Sequence, residues 1–107
     1  MHELAIATSV VDAVCARAGD RRVHLVTLRI GALTAVVPDA MRFCFDLAVE
    51  GTVASGARLD IVAVTATGSC RDCGVSGEID GLLCPCGSAD VEVTAGRELQ
   101  IVSMEVG

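Results

Sequence analysis

Two stretches of the chain place apolar residues at helical spacing. Residues 4–18 are predicted to form a first helix, because their apolar side chains fall near one face and Gly19 supplies a C-terminal stop. A second helix is predicted to begin at Pro38 and to end at Gly51, with Asp39 in its first turn, where a carboxylate complements the helix dipole. The apolar faces are built from Leu4, Val11, Val14, Cys15 and Ala18 in the first helix, and from Met41, Cys44, Phe45 and Ala48 in the second.

Three further segments, 23–30, 58–66 and 97–106, have the pattern of β-strands. In the first of them Val26, Leu28 and Ile30 share one side. In the last segment the apolar positions change phase between Ile101 and Val102, which predicts either a β-bulge or a strand covered on both faces.

The order of these elements predicts an α+β fold, with a small three-stranded sheet and two helices on it. Hydrophobic residues make up 52% of the 107 residues and aromatic ones only 2%, so we expect a single aliphatic core. The composition changes near residue 68, where cysteines and glycines replace large apolar residues. We therefore predict one domain formed by 1–67 and 96–107, and an inserted zinc-binding domain at 68–95.

The insert carries four cysteines with the spacing Cys70-x2-Cys73-x10-Cys84-x-Cys86. Four thiolates suit tetrahedral Zn²⁺, and metal binding would replace the core that this segment cannot build. We predict a structural zinc ribbon with four cysteine ligands; a redox dithiol, disulfides and a rubredoxin-like iron site are the alternatives. Only Pro85 separates the second pair of cysteines, which leaves the geometry of that half-site open.

The N-terminus combines several nitrogen donors. The α-amino group of Met1, the backbone amide and imidazole of His2, and the backbone amide of Glu3 would complete a square-planar set of the kind that Ni²⁺ and Cu²⁺ prefer. The competing interpretation is that His2 is a solvated side chain that binds no metal.

Charge and the remaining residues exclude several classes of protein. The net charge is −6 and all eight basic residues are arginine, scattered along the chain, so we expect neither nucleic-acid nor membrane binding. No basic, apolar leader opens the sequence, and we expect a cytoplasmic protein with reduced thiols. No Ser-His-Asp set, phosphate loop or carboxylate pair indicates an enzyme, while His24 is expected at the surface and Cys15 and Cys44 in the core.

Several short motifs occur together along the whole chain. They are Met1-His2-Glu3-Leu4, Leu28-Arg29-Ile30-Gly31, Phe43-Cys44-Phe45-Asp46, Cys84-Pro85 with Cys86-Gly87-Ser88, and Gly96-Arg97-Glu98-Leu99-Gln100-Ile101. With these motifs the sequence resembles the HypA/HybF family, the nickel metallochaperones of [NiFe]-hydrogenase maturation. The family has two residues between its last two cysteines, whereas this chain has one.

The resemblance implies a nickel carrier without catalytic activity, in which the zinc domain is inserted before the last strand. It implies that His2 is the essential nickel ligand, that Met1 and Glu3 supply backbone nitrogens, and that Asp39 lies near the nickel. It assigns zinc to Cys70, Cys73, Cys84 and Cys86.

The resemblance also implies two partners: the nickel-handling GTPase HypB and the precursor of the hydrogenase large subunit. Some relatives serve urease as well. We expect a monomer or a weak homodimer. The alternative function is a zinc-ribbon protein-interaction module that transfers no nickel.

Overall fold

The computed structural model describes residues 2–79 and 83–107, and its elements follow the predicted order. Helix α1 spans Glu3–Ala18 and helix α2 spans Pro38–Ala48, with a short 3-10 turn at Ala32–Thr34 between β1 and α2. The strands are β1 (Val23–Gly31), β2 (Arg58–Val64), β3 (Thr67–Cys70), β4 (Ser76–Glu78), β5 (Val91–Ala95) and β6 (Leu99–Val106). In this described part of the chain, no helix is both long enough and apolar enough to cross a bilayer.

The strands form two separate three-stranded sheets, one in the order β2-β1-β6 and the other in the order β4-β3-β5. In the first sheet β1 runs parallel to β2 and antiparallel to β6. Two parallel strands that pair with each other need a long crossover connection, and α2 lies in the connection from β1 to β2. The second sheet, built from β3, β4 and β5, is antiparallel throughout. The predicted α+β class, with two helices on a small sheet and a cysteine-rich insert, is confirmed.

The core lies between the first sheet and the two helices. Val26 and Leu28 of β1 are fully buried, and Phe45 of α2 is the largest side chain among them. The prediction for Leu4 is wrong: it lies in the first turn at the edge of the α1 stripe and is exposed. The buried α1 face consists instead of Glu3, Ala7, Val10, Val11, Val14 and Ala18.

The phase change in the last strand is a β-bulge. Ser103 pairs with Thr27 and Ile101 pairs with Leu28, so Val102 is the extra residue that has no opposite partner on β1. The extra residue reverses the alternation of the strand, which explains why the apolar positions change phase there.

The connection from the second sheet back to the first passes close to the end of β1. A side chain on Gly31 would overlap the backbone of Gly96, and Gly96 itself has φ +117°, a conformation that favours glycine. Two backbone hydrogen bonds hold this approach, from Leu33 N–H to the Gly96 carbonyl (2.7 Å) and from Gly31 N–H to the Glu98 carbonyl (2.8 Å).

Candidate metal centre

The first pair of cysteines lies on a turn that begins at the end of β3. The backbone N–H of Cys73 donates to the sulfur of Cys70 at 3.5 Å, and the N–H of Gly74 donates to the Cys70 carbonyl at 3.0 Å. The N–H of Cys70 donates to the Val75 carbonyl at 2.9 Å and closes the loop. Gly74 has φ +78°, which a side chain would strain, so glycine follows the second cysteine for a backbone reason.

The second pair repeats this hydrogen-bond pattern with one residue fewer. The N–H of Cys86 donates to the sulfur of Cys84 at 3.5 Å, and the N–H of Gly87 donates to the Cys84 carbonyl at 2.8 Å. The N–H of Cys84 donates to the Ser88 carbonyl at 2.9 Å. Each of the three hydrogen bonds in the first turn thus has a counterpart in the second turn, and each counterpart spans one residue less. The single residue Pro85 therefore shortens this half-site without removing its sulfur-directed N–H.

The four sulfurs converge on one point. Sulfur–sulfur distances are 3.8 Å for Cys70 and Cys86 and 3.6 Å for Cys73 and Cys84, and all four sulfurs lie within 4.8 Å of one another. A Zn–S bond of about 2.3 Å gives a tetrahedron whose sulfur–sulfur edge is about 3.8 Å. The donor set therefore fits a tetrahedral metal ion. All six cysteines are free thiols, and these separations far exceed an S–S bond of about 2.05 Å.

The N–H groups and the crowded sulfurs shift the thiol pKa values in opposite directions. Hydrogen bonds, first from the N–H of Cys73, lower the pKa of Cys70 to about 6 against the opposing effect of burial. The N–H of Cys86 also lowers the pKa of Cys84, but burial and hydrogen bonds to the other thiols together outweigh it and raise that pKa to about 12. Cys70 is therefore favoured as a thiolate at neutral pH, whereas an arriving metal ion must displace the proton of Cys84.

Side chains between Cys70 and Cys73 connect the two turns. Arg71 forms an ion pair with Asp90 (2.8 Å) and a second with Glu92 (3.6 Å), while the hydroxyl of Ser88 donates to the carboxylate of Asp72. The residues that separate the first two cysteines thus bind the segment that follows the last two. Sequence reasoning missed these contacts, because no periodicity marks a pairing between such distant residues.

The predicted nickel residues lie at the start of α1 and α2. His2 is exposed and precedes α1, and its carbonyl accepts the N–H of Ile6 at 3.1 Å. Glu3 is only 7% exposed, and its carboxylate accepts the N–H of Val37, the residue that caps α2, at 3.0 Å. This hydrogen bond is the first cause of the lowered pKa of Glu3. Met1 lies outside the described residues.

Asp39 occupies the first turn of α2, as predicted, and its side chain is 97% exposed. It forms an ion pair with Arg42 at 3.3 Å. In residues 2–79 and 83–107 only the four cysteines form a cluster of three or more metal-ligating side chains, so the side chains of His2, Glu3 and Asp39 do not converge in this way. Local sequence patterns do not predict the role of the Glu3 side chain, because its partner Val37 lies 34 residues away.

The remaining candidates are one histidine and two cysteines. His24 is exposed, as predicted, and Cys15 and Cys44 are half-buried against the core. None of these three residues belongs to the four-sulfur cluster.

Comparison with known families covers almost the whole chain. Residues 1–106 match the family model described as HypA, "Hydrogenase/urease nickel incorporation, metallochaperone". The chain belongs to the HypA family. This family consists of metallochaperones that serve hydrogenase maturation and not of enzymes.

Individual HypA relatives agree with this assignment. The chain is 45% identical to the hydrogenase maturation factor HypA of Geotalea uraniireducens over 109 residues, covering 99% of both chains. It is 39% identical to that of Trichodesmium erythraeum over 109 residues, covering 99% of this chain and 96% of the relative. The solution structure of the nickel metallochaperone HypA from Helicobacter pylori shares the fold, with a TM-score of 0.68, 24% identity, and coverage of 99% of this chain and 97% of that one.

Proposed function

We propose that this HypA-family protein binds one Ni²⁺ ion through the start of its chain and delivers it to the precursor of a [NiFe]-hydrogenase large subunit. The observation that carries the proposal is the HypA match over residues 1–106, combined with the sequence Met1-His2-Glu3 at the head of α1. Nickel is the cargo and not a resident cofactor.

The proposed nickel donors are the Met1 amine, the backbone nitrogens of His2 and Glu3, and the His2 imidazole. Four nitrogens in a plane suit Ni²⁺. The imidazole of His2 is exposed and makes no hydrogen bond with any residue that the structure describes, which leaves it available to a metal. Asp39 is proposed as a neighbouring acidic group, because the N–H of Val37, two residues before it, is bound by Glu3.

The position of the donors supports delivery as well as binding. An acceptor can replace ligands at a chain end one at a time, without unfolding the carrier. Glu3 holds the start of α1 against the start of α2, so the donors are presented next to a fixed surface. Transfer then requires no change in the core.

We propose that the four cysteines hold a structural Zn²⁺ ion. When bound, the ion would cross-link the two turns of the insert and contribute folding free energy on the order of 10 kcal/mol. In this proposal residues 68–95 form the zinc-binding domain, and residues 1–67 with 96–107 form the nickel-binding domain. Such a closed tetrahedral site has no open position for catalysis.

The proposed partners are a HypB-type nickel GTPase and the large-subunit precursor, acting in the cytoplasm. The acidic chain, with a net charge of −6, favours protein partners over nucleic acid or anionic membrane.

The test is metal analysis of the untagged protein after nickel loading, beside His2→Ala and a form with extra residues before Met1. We expect one zinc per chain in all three proteins and one nickel only in the untagged parent. His24→Ala is the matched control, because it removes an exposed histidine far along the chain from the N-terminus. Unchanged nickel content in His2→Ala and in the extended form would disprove the terminal site.

A further inference from the structure

The edge strand β6 leaves one side of the first sheet without a partner. It pairs with β1 on one side, and within residues 2–79 and 83–107 no strand pairs with the other. Leu99 and Ile101 are each 40% exposed along it, and Val102, the bulged residue, is 47% exposed. An edge of this kind offers unpaired backbone groups together with apolar surface.

A cleft lies between α1 and this edge strand. It consists of two adjoining cavities of about 480 Å³ and about 580 Å³, and Ile101 lines both. On the helix side the cleft is lined by the small residues Ala5, Ser9 and Ala13, which recur every four residues, and by the larger side chains of Ile6, Val10 and Val14. Helix α1 therefore does not fill the space above β6.

One end of the cleft carries positive charge without an internal counter-ion. Arg17 and Arg21 line the second cavity, and neither guanidinium group forms an ion pair or hydrogen bond with a residue that the structure describes. By contrast, Arg42, Arg58 and Arg71 all bind carboxylates. Arg17 and Arg21 therefore place two guanidinium groups without a carboxylate partner at one end of the cleft.

We propose that this cleft binds an extended segment of a partner protein, which adds as a strand to β6. Its alternate apolar side chains would enter the space beneath α1, and its carboxylates would bind Arg17 and Arg21. An added strand satisfies the free backbone groups of β6, which a docked helix cannot do. An acidic segment gains two charge-assisted contacts, whereas a basic one would meet like charge.

The proposal uses neither the cysteine cluster nor the N-terminal donors, so it stands independently of the nickel function. The probe is a library of random peptides of about 12 residues, enough to span β6, selected on the immobilised zinc-loaded protein. We expect enriched peptides that alternate apolar and polar residues and carry acidic residues at one end. Their affinity is then measured by isothermal titration calorimetry.

Three variants test the surface. The double variant Arg17→Glu with Arg21→Glu should weaken binding roughly tenfold or more, since hydrogen bonds to charged groups are lost and like charges face each other. Ser9→Phe should weaken it by filling the cleft from the exposed side of α1. Arg58→Glu is a single charge-reversal control on β2, the opposite edge of the sheet, and should bind as the parent does.

Several outcomes would overturn the proposal. These are no enrichment, enrichment of basic peptides or of peptides with helical apolar spacing, and equal binding by the parent, the double variant and Ser9→Phe. A concentration-dependent dimer that excludes the peptides would assign the edge to a second copy of the chain. Retained peptide binding in His2→Ala would separate this surface from nickel binding.

Discussion

The carboxylate of Glu3 accepts a hydrogen bond from the backbone N–H of Val37 at 3.0 Å, and this contact joins the beginnings of the two helices. The N–H of Val37, the N-cap residue of α2, has no partner within the helix, and Glu3, 34 residues away in the sequence, supplies its acceptor. The same residue follows His2 directly. The proposed nickel donors are therefore held by a contact that also stabilises α2.

Substitutions of Glu3 change its side chain and keep its backbone nitrogen, so they test the anchoring role of the side chain alone. Glu3→Ala should lower the melting temperature by several degrees, because the Val37 N–H loses the acceptor that the buried Glu3 carboxylate supplies. Glu3→Gln keeps an acceptor oxygen and should restore most of the loss. Differential scanning calorimetry of the zinc-loaded, nickel-free proteins makes the measurement. Equal melting temperatures for Glu3→Ala and the parent would contradict the anchor.

The stability of the parent should depend on pH through the same carboxylate. The pKa of Glu3 is lowered from its ordinary value of 4.5 in the folded protein, first by the Val37 N–H. Because the pKa of Glu3 is lower in the folded protein, its carboxylate contributes its full stabilisation at a pH above the ordinary pKa. This stabilisation is lost as the pH falls through the pKa of the folded state. Urea denaturation between neutral pH and pH 3 should show this loss in the parent, and Glu3→Gln should show less of it. Parallel pH profiles for the two proteins would rule out the contribution.

Zinc binding should release protons, but fewer than four. The pKa of Cys70 is lowered to about 6, whereas that of Cys84 is raised to about 12. At neutral pH the Cys70 thiol is therefore already largely ionised, and we expect fewer than four protons to leave when zinc binds. Calorimetry in buffers of different ionisation enthalpy counts them. Release of four protons would mean that no thiolate exists before the metal arrives.

The close approach of Gly31 and Gly96 should make Gly31 intolerant of any side chain. In Gly31→Ala the new methyl group would overlap backbone atoms that cannot rotate away, so the two chain segments must separate. Gly51→Ala is the control, because Gly51 has φ +76° and nothing within 4 Å, which leaves only a backbone cost of about 1–2 kcal/mol. Chemical denaturation should show a distinctly larger loss for Gly31→Ala. Equal losses would refute the steric argument.

Helices and strands were predictable where a local pattern defines them. The Val26, Leu28 and Ile30 face of β1 is buried as its alternation indicates, and the phase change at Val102 marks a bulge. Leu4 was misassigned because periodicity describes the direction of a side chain around the helix axis, but not how far the packed neighbours extend along it. An apolar residue in the first turn can therefore point towards the core side and still be exposed.

The four-cysteine cluster was also predictable, since metal-binding turns are local structures with a typical spacing. What spacing alone left open was the half-site at Cys84, Pro85 and Cys86. The structure resolves it through hydrogen bonds that each span one residue less than in the first turn. The ion pairs of Arg71 with Asp90 and Glu92 form only because two distant segments lie next to each other in the fold. Sequence periodicity does not predict such contacts.

By itself the sequence determined the order of elements, the four-cysteine cluster and the family motifs, because each of these depends on residues that are close together in the chain. Only the tertiary structure decided that Glu3 binds Val37, and that β6 is an edge strand beside an open cleft. The physical reason is the range of the interactions. Periodicity and spacing encode local conformation, whereas contacts between distant segments form only when the whole core brings them together.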